Sequence, residues 1–135
     1  MQNFIYALIQ VVHNLGAATV VATAASALWL VRGNPRVQHR LALLMAIAWA
    51  TQVASGVMFG VTTYLYERHL PDIHGIAVDA LLIKLFCALS GFVLAVTHVK
   101  LGSAWTMDKQ LLAWRASLAF GVVALGSAAF LRWFS

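Results

Sequence analysis

LALLMAIAWATQVASGVMFGVTTYLY, residues 41–66, runs on without a single Asp, Glu, Lys, Arg or His. About 20 predominantly apolar residues are enough to cross the hydrocarbon core of a bilayer as a helix, and this stretch exceeds that. Three further apolar runs, 4–31, 75–99 and 111–133, flank it. Together they take up nearly all of the 135 residues, of which 62% are hydrophobic and 10% charged, at a mean hydropathy of +0.85. Ordinary soluble domains are roughly a quarter charged. The expectation is one domain over 1–135, an all-α integral membrane four-helix bundle, with no room left for a soluble domain.

The connections orient it. VRGNPRVQHR carries Arg32, Arg36 and Arg40; KLGSAWTMDKQ carries Lys100 and Lys109, with Arg115 just inside helix 4. ERHLPDIHG sets Glu67 and Asp72 against Arg68 and is near neutral. Basic loops stay on the cytoplasmic side, so loops one and three face inward, while both termini and loop two face outward. Connections of about ten residues favour an up-down-up-down bundle. The first run lacks a basic n-region and is too long for the apolar core of a signal peptide, so it is expected to remain as a transmembrane helix. The expected location is the bacterial inner (cytoplasmic) membrane, with the lipid bilayer as a partner. The net charge of +5 belongs to these loops and not to nucleic-acid binding. A single cysteine, Cys87, leaves no CxxC motif and no intrachain disulfide.

Local signals mark the joints. Gly33 suits the end of helix 1, Asn34 the cap of helix 2 and Pro35 its first turn. Gly56 and Gly60 form a GxxxG step that predicts close helix approach, and Gly91, Ala95, Ser117 and Gly121 form similar small patches on helices 3 and 4. Trp29, Trp105, Trp133, Tyr64 and Tyr66 fall near helix ends, where interfacial anchors belong.

Ionisable groups inside membrane helices are costly and face a partner or a bundle interior. Here they are His13 on helix 1, Asp79 and Lys84 on helix 3, and Arg115 on helix 4. His13 and Lys84 each lie about nine residues from the outer end of their helix, ~14 Å at 1.5 Å per residue; they can share one layer, with Met58 at a similar depth. His98 lies ~21 Å deeper than Lys84, near the level of His39. Lys84, Gly91 and His98 are spaced by sevens along one stripe of helix 3, while Asp79 points roughly 140° away from Lys84. The histidines therefore sort into an outer layer, His13 with His74 or His69, and an inner layer, His39 with His98. Imidazoles on facing helices suit axial ligation of haem iron, which makes His13, His74 and His98 the candidate metal ligands. Lys84, Arg115 or the loop arginines can pair with haem propionates. Each has a plainer reading: His13 bonding a neighbouring helix, Lys84 snorkelling, Cys87 as a small buried hydrophobe, the others at an interface or in solvent.

Two families of small four-helix membrane proteins resemble this layout. In the copper-resistance D family a first-helix His precedes small residues, as in VVHNLGAATVV, and a third-helix Lys sits in an L-x-K-L setting, similar to LLIKLFCAL. The membrane-bound, oxygen-independent protoporphyrinogen oxidase family also pairs a first-helix His with a third-helix Lys, here His13 and Lys84. That resemblance implies haem b. The oxidase's aromatic and proline-rich stretch after the first His, and its Asn-Glu-x-x-Pro-like signature in helix 4, have no counterpart in NLGAATVVATAASALW or WRASLAFGVVALG.

The leading expectation is thus a cytochrome b-like membrane protein that exchanges electrons with a quinone or a partner subunit, as a homo-oligomer or within a larger membrane complex. One alternative is a copper-handling protein in which Met58, His13 and the loop histidines line an outward site; it lacks any Met-x-x-Met cluster, and Met45 and Met107 lie in other layers. The other is a non-catalytic scaffold or anchor.

Overall fold

A computed structural model of the chain describes residues 1–69 and 71–134. Four long helices account for nearly all of them: α1 (Gln2–Ala25), α2 (Pro35–Glu67), α3 (Ile76–Leu101) and α4 (Met107–Phe134). α1 widens into a π-helical turn over Ser26–Leu30, and α3 tightens into a 3-10 turn over Gly102–Ala104. There is no strand among the described residues. With these turns the helices run 28 to 33 residues, each long and apolar enough to cross a membrane. At 1.5 Å per residue that is about 42–50 Å, more than the ~30 Å hydrocarbon core requires.

The punctuation between α1 and α2 works as its residue types dictate. Gly33 takes φ +77°, a left-handed conformation that costs a side chain with a Cβ. Asn34 Oδ1 accepts from the amides of Arg36 and Val37 at 3.2 and 3.3 Å, and Pro35 opens the first turn. Helix 2 consequently begins at Pro35, six residues ahead of the uncharged run. Basic side chains fill its first turns.

α1 and α2 run in opposite directions, as do α3 and α4. Tyr6 donates to Thr63 Oγ1 at 2.9 Å near one end of the α1–α2 pair, and Gln38 of α2 reaches the carbonyls of Ala27 and Val31 at the other. α3 and α4 meet through Phe86–Phe120 and His98–Trp114. Close approach depends on Gly91, which lies against the Trp49 indole, and on Gly121, which lies against Val20 and Val21. The expectation for Gly56 and Gly60 is corrected: a Cβ at either would meet nothing within 4 Å. Their GxxxG face borders a cavity instead of a helix.

The interior is built mostly from small residues around Trp49, Trp114 and Met45. Larger apolar side chains, among them Leu15, Val57, Phe86 and Val93, lie outside at half exposure or more. Close packing of small residues inside with Leu, Val and Phe outside is the distribution found where the surroundings are themselves apolar.

Candidate functional site

α1, α2 and α3 converge on the His13 ring, which is 8% exposed. Nδ1 lies 2.7 Å from Ser55 Oγ, and Nε2 lies 2.8 Å from Lys84 Nζ. The hydrogen-bond network assigns the tautomer. Ser55 has one hydroxyl proton and gives it to the Thr51 carbonyl at 2.6 Å. Its oxygen therefore accepts from His13 Nδ1–H, which leaves the Nε2 lone pair to accept from Lys84. Gln52 adds a second tie, its Nε2 donating to the His13 carbonyl at 2.5 Å. Gly16 makes that possible, because a side chain there would collide with the Gln52 amide. Phe59 packs edge-on to the imidazole, with ring centroids 6.0 Å apart.

Beside His13 opens a cavity of about 1020 Å³, at the upper end of the ~300–1,000 Å³ usual for small-molecule sites. Its floor is set where Val20, Trp49 and Gly121 come together. Gln10 and Ala17 of α1 and Ala124 and Ala128 of α4 also line the cavity. His13 and Lys84 stand in its wall, and most of the rest of the lining is apolar. Trp49 lines the floor too, and its Nε1 is buried without a hydrogen-bond partner.

The two residues placed in one layer from helix depth, His13 and Lys84, are the two that meet. The other candidates lie elsewhere. His74 is 83% exposed and pairs with Asp72 at 2.5 Å; Pro71 and Ile73 line the cavity mouth while these two alternate residues turn away. His69, likewise exposed, lies 3.9 Å from Glu67. Asp79, Met58 and Arg115 are exposed, and none lines the cavity. Arg115 lies six residues before Gly121, ~9 Å along α4, whereas Arg132 near the far end of α4 does line the cavity. His98 is buried, yet its ring is packed between Trp105 and Trp114, with centroids 5.1 and 4.7 Å away. Trp114 Nε1 in turn donates to Gln38 Oε1 at 2.5 Å. His39 is exposed on α2, yet comes near enough to His98 to interact with it electrostatically, as their shared depth predicts. The inner layer is thus a packed Gln38–Trp114–His98–Trp105 joint. Among the described residues, no three His, Cys, Asp or Glu side chains come together as metal ligands.

Ser55, Gln52, Gly16 and Trp49 are the site residues that sequence reading missed. Ser and Gln at 55 and 52 share a face with Trp49, spaced by threes, and that spacing was the available signal. Comparison with protein-family models, with curated proteins and with solved structures finds no match to this chain.

Proposed function

We propose that this is an integral membrane protein of the bacterial inner membrane, up-down-up-down with both termini outside, that binds haem b in the cavity and passes electrons to or from a quinone or a partner subunit. The orientation rests on the basic loops one and three. One observation carries the haem reading: an imidazole held through Nδ1 by Ser55 stands, beside Lys84, in the wall of a large, mainly apolar cavity.

That is the arrangement a histidine ligand needs. An Nδ1–H bonded to a neighbour fixes the tautomer, steadies the ring and makes Nε2 a better donor to a metal. His13 accepts from Lys84 in the present arrangement; with haem bound, His13 would hold the iron and Lys84 would give up this hydrogen bond. Lys84, which lines the cavity, would then serve as a countercharge to a propionate carboxylate. Gln52 keeps the α1 backbone at His13 in register throughout. Haem bound here supplies reversible one-electron exchange between ferric and ferrous iron. The copper reading finds less support, because Met58 and His74 both face away from the cavity.

Titration of the detergent-purified protein with haemin tests the proposal. The expected result is a saturable Soret shift at one haem per chain that His13→Ala abolishes. An identical titration curve for His13→Ala would leave the His13–Ser55–Lys84 network as a helix fastener and favour the scaffold reading.

A further inference from the structure

A second space lies away from His13, between α3 and α4. It is an open-sided groove of about 750 Å³, bordered by Leu89 and Leu101 on α3 and by Leu112 and Phe120 on α4. The short side chains of Ala113 and Ala116 leave it unfilled. From Leu89 to Leu101 it spans about 18 Å, close to the ~15 Å of hydrocarbon in one leaflet. Its walls are apolar apart from two hydroxyls, of which Thr97 is already bonded to the Val93 carbonyl at 2.7 Å. Charge enters only at the inner end, where Lys109 Nζ stands 5.0 Å from the centroid of the Trp105 ring. Lys100 and Arg115 are exposed on the same stretch of chain; Asp108, its one carboxylate, does not line the groove.

We infer that this groove is a binding site for an anionic phospholipid of the inner leaflet, an acyl chain lying between α3 and α4 and the phosphate held by Lys109 beside Trp105. Length and charge select the occupant together. A chain one leaflet long fills the apolar part, and a basic pocket between transmembrane helices on the cytoplasmic side suits an anionic headgroup. The indole belongs at that depth as an interfacial anchor. The inference rests on the membrane orientation proposed above and is independent of haem.

The test is native mass spectrometry of the intact protein from neutral detergent, titrated with phosphatidylglycerol and with phosphatidylcholine of identical acyl chains. The phosphatidylglycerol adduct should form about fivefold more tightly, the contribution of one lysine at the membrane surface. Lys109→Gln should bring the two lipids level while leaving phosphatidylcholine binding and the melting temperature unchanged. Ala116→Leu, which fills the groove, should weaken both. Equal retention of the two lipids by the parent protein overturns the inference, as does a preference that survives Lys109→Gln. Competition by inorganic phosphate alone overturns it too, since the groove would then contribute nothing. Failure to retain either lipid overturns it as well, while the membrane orientation is tested separately by cysteine labelling in intact cells.

Discussion

At His13 the ring is held on both sides: Nδ1 gives its proton to Ser55 Oγ and Nε2 accepts from Lys84, in the wall of the cavity. Ser55→Ala should therefore keep the ligand but lose its orientation. Haemin affinity is expected to fall about 10- to 100-fold, the usual effect of removing the outer partner of a metal-bound histidine; a titration indistinguishable from the parent would contradict the assignment. Gln38 offers a comparison at the other end of the bundle. Gln38→Leu leaves the buried Trp114 N–H without its acceptor, which should destabilise the fold by roughly 1–3 kcal/mol, read as a lower melting temperature with haem binding intact. His13 and Lys84 could be matched from sequence because depth along a helix is simple arithmetic. Ser55 and Gln52 could not, because a lone hydroxyl or amide in an apolar run does not say which neighbour it faces. The surroundings of His98 were illegible for a related reason: its depth does not say that two tryptophans pack against the ring.

The helices show what small residues do and do not specify. At Gly91 an added Cβ would overlap ring atoms of Trp49, so Gly91→Ala should cost about 1–3 kcal/mol by overpacking. At Gly60 there is open space, and Gly60→Ala should be neutral or stabilising by up to ~1 kcal/mol through helix propensity. Thermal melts of the two variants in one detergent check both; a larger loss at Gly60 than at Gly91 would contradict the packing described. The GxxxG spacing reported smallness, and contact depends on what lies opposite. Helix ends were more legible. Gly33, Asn34 and Pro35 act through their own backbones, so their meaning survives without knowledge of the partner helix.

Across the whole molecule, apolar side chains crowd the outer surface while Ala, Gly and Ser fill much of the inside. In the proposed orientation, Asp72 in the second connection faces outward and Arg36 at the start of α2 faces the cytoplasm. In a Cys87→Ser background, Asp72→Cys should react with a membrane-impermeant maleimide in intact cells, and Arg36→Cys only after permeabilisation; the reverse pattern would invert the topology. Haem is proposed to occupy the cavity that all four helices line. The most direct test is the dithionite-reduced minus oxidised spectrum of protein purified from haem-replete cells, with a pyridine haemochrome assay alongside. The expected result is a b-type α-band at one haem per chain, absent from His13→Ala. A featureless spectrum from the parent protein, or an α-band unchanged in His13→Ala, would contradict it.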